Sequence, residues 1–249
     1  MSTNINYLIK ETLVIVPCYN AKKTIIQTLD EILKTGFNEV LISDDFSSDG
    51  TYHIVKSKYP NIRIINQKYN LGYGGNQKFL YEYAINHNYK YVIMIHGDFQ
   101  YTPKLIPSMI YMLSSAEYDF VFGSRILGGD AIKNGMPIIK YFANRVLTLF
   151  QNLCTGYKLS EYHSGLRAFK VSAIKEINLR KLSDDFFFDN QIIIELMKRG
   201  LNIGEVSCTT KYDTNSSSIS YKDSVLYGIN VIGLSFVFIV FRFFKNINT

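Results

Sequence analysis

Cysteine is scarce in this chain of 249 residues: Cys18, Cys154 and Cys208 lie far apart and in no CxxC arrangement. That argues against a disulfide framework and a cysteine zinc site, and leaves ordinary reduced thiols. The N-terminal stretch has only one short apolar run, 13–16, with no basic segment before it and no small-residue cleavage motif. No secretory signal is therefore expected, and the chain is read as starting in the cytosol. No GxGxxG follows the first apolar run, which argues against dinucleotide-dependent redox chemistry. Charge of one sign is also modest, with 27 Lys+Arg against 21 Asp+Glu giving +6. Such an excess suits anionic membranes, nucleic acid or phosphorylated substrates without choosing among them. No internal repeat divides the chain, whose length suffices for one large domain with a full core.

What is present is a rhythm. Short β-branched runs at 13–17, 40–43, 62–66, 91–95 and 120–123 alternate with helical patterns at 24–34, 51–58, 77–86 and 105–113. This predicts an α/β, Rossmann-like, mostly parallel central sheet flanked by helices. Ligands of such sheets sit beyond the carboxyl ends of the strands, so the segments that follow each strand carry the information. Here they are polar: "CYN", "DDFSSDGT", "QKYNLGYGGN" and "HGDFQYTP". Past residue 123 the rhythm weakens. Residues 125–137 carry the Gly, Asn and Pro signals of a loop, expected to be mobile or partner-dependent. Residues 138–154 read as a helix, "YHSGLRAFK" as a turn entering a strand, 190–199 as a helix stopped by Gly200, and 203–209 as a further strand.

In "HGDFQYTP" three polar side chains, His96, Asp98 and Gln100, follow a buried strand at every second position. They share one face if the backbone stays extended and gather around a point if it breaks into a loop. Either arrangement looks like a set of ligands.

The ordered series "VIVPCYN", "ISDDFSSDGT", "NLGYGGN", "HGDFQYTP", "FGSRILGG", "HSGLRAF" and "FFFDNQI" resembles the family 2 glycosyltransferases of the GT-A fold, on the branch similar to dolichol-phosphate mannose synthase and bacterial polyprenyl-phosphate sugar transferases. The resemblance implies a GT-A domain over 1–213, with a nucleotide-sugar half at about 1–105 and an acceptor half at about 106–213. It also implies an inverting, metal-assisted transfer from a nucleotide-diphosphate sugar, with a lipid phosphate as acceptor and no nucleic acid partner. Pro17, Tyr19, Asn20, Asp44, Asp45, Asn70, Gly72 and Gly74 then fall on the donor side, with Asp44 as the base-side contact. The chain departs from the family pattern at Ala21 and Lys22, where acidic residues are common, and at His96, where a carboxylate is usual. No clean counterpart of the family's late basic segment is found, Lys211 and Lys222 being possible substitutes.

A divalent cation would neutralise the charge that develops on a departing diphosphate. Asp98 is the first choice of ligand, Gln100 supplies a second oxygen, and His96 is either a third ligand or a hydrogen-bonded histidine at a strand end. An imidazole tilts the expectation toward Mn²⁺ over Mg²⁺. Asp49 suits an Asx-turn or helix cap better than Asp44 does. Gly72, Gly74 and Gly75 would let backbone approach a ligand, or make only a turn. On the acceptor side Arg125, Lys140, Arg145 and Arg167 are the cations that could clamp a phosphate. A phosphate nucleophile needs no base; a hydroxyl would need one, with Asp189 or Asp185 the best choices. Asp189 as a helix cap is the alternative.

The tract 214–220 reads as a linker, and 224–241 contains no charged residue. Those eighteen residues span roughly 27 Å as a helix, barely the thickness of a hydrocarbon core. With Lys222, Arg242 and Lys245 as flanks, a helix lying in the membrane interface is favoured over a full span and over an ordinary core helix. The expected setting is the cytoplasmic face of the cell membrane. Transfer to a hydroxyl of a lipid-linked glycan or polysaccharide is the second reading, and an inactive nucleotide-sugar-binding module the third.

Overall fold

The structure, a computed structural model, describes residues 4–210, 212 and 221–247. Seven strands form one sheet: β1 (Thr12–Cys18), β2 (Val40–Asp44), β3 (Arg63–Asn66), β4 (Tyr91–Met94), β5 (Phe120–Ser124), β6 (Arg167–Lys170) and β7 (Ile203–Ser207). Their order is β3-β2-β1-β4-β6-β5-β7. Only β6 runs against its neighbours, pairing antiparallel with β4 and β5, while the other pairings are parallel. The rims following the six parallel strands therefore share one edge with the residues that precede β6.

Every residue of β1 and β2 is buried, as expected where helices cover both faces. Alternation sorts their side chains into two cores. Leu13 and Ile15 join Leu80, Tyr81 and Ile192 of α4 (Tyr73–Asn86) and α8 (Phe188–Lys198) on one face. Val14 and Val16 join Ile25, Val55 and Met109 of α2 (Ile25–Leu33), α3 (Thr51–Lys58) and α5 (Ile106–Ser114) on the other.

Three helical features depart from the sequence reading. The short α1 (Ile5–Glu11) buries only Leu8 among its seven residues, too little to register as a periodic pattern. A second short helix, α7 (Val171–Lys175), directly follows β6. The start of α4 lies four residues before the expected 77, and its first turn includes Gly74 and Gly75. Tertiary packing overrides the poor helix propensity there.

The predicted helix at 138–154 is α6 (Ile138–Thr155), and the last helix, α9 (Tyr221–Ile247), runs beside it in the same direction. Phe150 and Phe236 pack edge to face at 5.5 Å. Arg242 Nη1 donates to the Thr155 carbonyl at 3.4 Å, placing a cation at the negative end of the α6 dipole. Val231, Ser235 and Phe238 bury one face of α9, while Val225, Ile229, Phe236, Val240 and Phe243 are exposed. On α6 the outward stripe Ile139, Phe142, Val146, Leu149 and Leu153 is exposed too, reaching 82% at Ile139 and 74% at Leu153.

Residues 125–137 form consecutive turns pinned by buried Ala131 and Met136. Lys211 and the tract 214–220 lie outside the described residues. Lys222 is exposed.

Candidate active site

The sheet edge carries left-handed backbone at three non-glycine positions, Asn20 (φ 50°), Phe46 (φ 63°) and Phe99 (φ 55°), shortly after β1, β2 and β4. Such conformations cost free energy and cluster at functional sites. Asn20 ties the first two loops together: its N–H donates to Ser47 Oγ at 2.8 Å, and its side-chain oxygen accepts from Ser48 N at 3.0 Å. Pro17 accepts from Gly97 N at 3.2 Å, while Tyr19 is exposed. Asp49 takes the turn role expected of it, accepting from Thr51 N at 2.9 Å.

Asp44 and Asp45 are both buried but differ in use. Asp45 braces the third loop, accepting from Leu71 N at 2.6 Å and Gly72 N at 3.1 Å. Asn70 belongs to the same brace, donating to the Asp45 carbonyl and accepting from Gly72 N. Asp44 accepts from Ser47 Oγ through Oδ1, but its Oδ2 is buried without a partner among the described residues. Burial pushes both carboxyls above their usual range. Gly72 and Gly74 meet protein rather than open space. A Cβ would stand 2.6 Å from the Asp184 carbonyl at Gly72 and 2.5 Å from that of Ser183 at Gly74. Their missing side chains thus serve the packing of α4 on the 183–185 turn.

The three polar residues after β4 do not gather on one point. Ladder bonds continue past Met94, from Ile95 N to Ile15 O and from Gly97 N to Pro17 O, before the chain turns. Gly97 is required there, since a Cβ would lie 2.9 Å from Cys18 Cβ. His96 and Gln100 line a cavity of about 190 Å³, and Asp98 is not among its walls. Asp98 Oδ1 instead accepts from Gln100 N at 3.0 Å. His96 Nε2 lies 3.0 Å from Tyr73 Oη. Burial holds the imidazole below its usual range, against the opposing pull of Asp98 and Asp189.

Asp189 also lines the cavity, and both its oxygens are engaged. Oδ2 accepts from Tyr73 Oη at 2.7 Å and Oδ1 from Gln77 Nε2 at 3.1 Å, with Arg167 Nη1 at 3.4 Å from Oδ1. The base expected for a hydroxyl acceptor is thus held by three donors. Asp185 accepts from Phe187 N at 2.8 Å as a local turn. Arg167 is no free phosphate clamp: it is 1% exposed and donates to the carbonyls of Ser164, Asp189 and Tyr162. Arg145 donates to the Ser160 carbonyl and is not a wall of the cavity. Both guanidiniums are held by backbone carbonyls near a strand start and a loop.

Arg125 does reach the cavity, with its charge already paired. Nη2 lies 2.6 Å from Glu161 Oε2, and Nε shares both carboxylate oxygens. Glu161 is fully buried and also accepts from Arg125 N and Asn144 Nδ2. Burial alone would raise the Glu161 carboxyl, but the adjoining guanidinium outweighs it and holds the group below its usual range. Lys140 stands on the same wall and forms no ion pair among the described residues, its ammonium lying 5.7 Å from the Tyr212 ring centre. Burial, and then the Arg125 charge, lower its pKa. An incoming anion would relieve both penalties.

Among the residues that escaped the sequence reading are the cavity walls Tyr73, His163 and Tyr227, and Glu161, which holds Arg125. Glu161 had a signal, being the one acidic residue of the 159–166 stretch leading into "SGLR". Tyr227 had none, because its role depends on where α9 docks.

Among the described residues no three His, Cys, Asp or Glu side chains converge as a metal cluster, and His96 Nε2 is engaged by Tyr73. Asp98 and Gln100 supply two oxygens. Both are oxygen donors of the kind that Mg²⁺ or Mn²⁺ accepts.

The model of the family described as Glycosyl transferase family 2 matches residues 13–178. The chain is 28% identical over 232 residues to the UDP-N-acetylglucosamine–dolichyl-phosphate N-acetylglucosaminyltransferase of Methanococcus voltae, covering 87% of this chain and 91% of that relative. It is 23% identical over 202 residues to the undecaprenyl-phosphate mannosyltransferase of Micrococcus luteus, covering 79% and 82%. Among solved structures, glucosyl-3-phosphoglycerate synthase from Mycobacterium tuberculosis in complex with UDP matches with a TM-score of 0.70 and 15% identity, over 96% of this chain and 85% of that one. The same synthase has been crystallised with Mn²⁺, UDP-glucose and phosphoglyceric acid. The fold is the expected GT-A arrangement.

Proposed function

The chain belongs to glycosyl transferase family 2, and from that premise we propose an inverting, metal-dependent enzyme that moves a sugar from a nucleoside-diphosphate sugar to a polyprenyl or dolichyl phosphate at the cytoplasmic face of a membrane. One observation carries this reading. Helix α6 lines the cavity with Lys140 and Asn144 and on another face exposes the apolar stripe from Ile139 to Leu153. A site suited to a phosphate thus adjoins a surface suited to a lipid. The two relatives named for dolichyl-phosphate and undecaprenyl-phosphate transfer support the same acceptor class.

An ionised phosphate oxygen attacks the anomeric carbon, forming a carbon–oxygen bond as the bond to the nucleoside diphosphate breaks. No proton need be removed. That suits a site in which Asp189 is already held by three donors. The cation, when bound, neutralises charge on the departing diphosphate, and Asp98 with Gln100 would hold it. Asp44, whose Oδ2 has no partner among the described residues, is suited to the donor's base or ribose hydroxyls.

Residues 222–244 are long and apolar enough to cross a membrane, with mean hydropathy 2.2. Yet α9 is docked on α6 from Gly228, near Leu147, to Arg242 at Thr155. This supports a helix lying in the interface with α6, because a span would carry α6 with it. The three cysteines are free and buried, in keeping with a reducing compartment.

The test is transfer from UDP-, GDP- and dTDP-sugars, with Mn²⁺, to a short-chain prenyl phosphate and to the matching prenyl alcohol. The reading expects transfer to the phosphate alone. Transfer to the alcohol at an equal rate would overturn it.

A further inference from the structure

His163 is a cavity residue that the reaction above does not use. Its Nδ1 lies 2.7 Å from Tyr227 Oη, and the two rings meet edge to face at 5.5 Å. Its other nitrogen, Nε2, is buried with no partner among the described residues. Both residues line the cavity that Lys140 lines. The backbone is fixed as well, since the His163 carbonyl accepts from Arg125 Nη2 at 2.8 Å. A buried ring nitrogen left unmatched costs free energy unless something fills it.

We propose that His163 Nε2 and Lys140 together bind the phosphate of the acceptor, and that Tyr227 of α9 orients the imidazole for this task. The proposal rests on the lipid-phosphate reading and adds to it a role for α9 as a wall of the acceptor site besides a membrane contact. When the Tyr227 hydroxyl donates to Nδ1, the ring proton resides on Nε2, where no described residue accepts it. Burial brings the His163 pKa down to about 4, with Arg125 and Arg167 acting the same way and Glu161 opposing. The ring is then neutral at physiological pH. It contributes a directed hydrogen bond, while Lys140 contributes the charge. A phosphate monoester has oxygens for both donors; an alcohol has no anionic oxygen for Lys140 to match.

His163→Phe keeps an aromatic ring and removes both nitrogens; Tyr227→Phe removes only the hydroxyl. For His163→Phe the expected acceptor KM is about tenfold higher, with donor affinity by calorimetry unchanged. Tyr227→Phe should raise acceptor KM by about threefold, a smaller effect because the ring loses its orientation and keeps its donor. Imidazole nitrogen spectra of the ¹⁵N-histidine protein give a readout independent of turnover. The chain has four histidines, so the signals absent from His163→Phe identify the residue. Nε2 should carry the proton in the free protein and shift on adding inorganic phosphate, and at lower concentration on adding short-chain prenyl phosphate. A proton on Nδ1 in the free protein, or no shift with either probe, would overturn the assignment. A shift with inorganic phosphate alone would mark a free-phosphate site and overturn the acceptor role. Transfer to prenyl phosphate with unaltered KM in His163→Phe sinks this proposal while leaving the functional reading standing; absence of any transfer to phosphate in the wild type sinks the functional reading.

Discussion

Arg125 and Arg167 stand at adjoining ends of two hydrogen-bonded strands, β5 and β6, and each is buried against a carboxylate, Glu161 or Asp189. Arg167 donates to three backbone carbonyls and holds the 162–164 loop to the start of α8. Arg125 grips Glu161 on one side, and its Nη1 reaches Tyr212 Oη at 3.3 Å while it lines the cavity. The difference teaches that an arginine in a motif is not a charge in a site. One arginine is framework, the other is framework with an edge on the cavity, and Lys140 remains as the cavity cation without an ion pair among the described residues.

The largest effect should come from breaking the inner pair. Arg167→Ala leaves Asp189 buried without its cation and should cost about 3–5 kcal/mol of stability, read from urea unfolding. A loss under about 1 kcal/mol would show that Arg167 is not framework. Next comes the residue outside both pairs: Asp98→Ala should lower turnover by about 10²–10³-fold without moving the melting temperature, and wild-type turnover in EDTA would contradict the metal assignment. Lys140→Ala should then raise acceptor KM about tenfold with donor affinity intact; an effect on donor alone would put Lys140 on the wrong side of the site.

Acid sharpens the comparison from the Glu161 side. Its carboxyl lies below the usual range when folded, so its contribution to stability is present above the unfolded carboxylate pKa and is lost as pH falls through the folded one. In Glu161→Gln that acid-side loss should be smaller than in wild type, measured as melting temperature against pH. Identical profiles would remove Glu161 from the account. The smallest effect is expected at Arg145→Ala, within about 1 kcal/mol and silent in acceptor KM. Its bond to the Ser160 carbonyl lies outside the cavity walls.

Much of the fold was legible because β1, β2, β4 and β5 are buried, continuous apolar runs bounded by polar turns. The reversed direction of β6 was not, since nothing in "RAFK" distinguishes a parallel from an antiparallel neighbour. In the site, the polar segments after the strands fall on one edge of the sheet, and His96, Gln100, Arg125, Lys140 and Asp189 all line the cavity. Their partners were illegible: Glu161 lies 36 residues from Arg125, and Tyr73 lies 116 from Asp189. Only the folded chain brings such groups together. The apolar character of α9 could be read from composition. Its docking on α6, and hence the contribution of Tyr227 to the cavity, could not.

The central claim is that the nucleophile is a phosphate oxygen of a lipid, and ³¹P NMR of the reaction mixture tests it most directly. With the right nucleotide sugar, Mn²⁺ and a short-chain prenyl phosphate, the monophosphate resonance should diminish as a phosphodiester resonance appears, in step with release of nucleoside diphosphate. Release of nucleoside diphosphate with the monophosphate resonance unchanged, and the sugar recovered on a hydroxyl, would contradict the account.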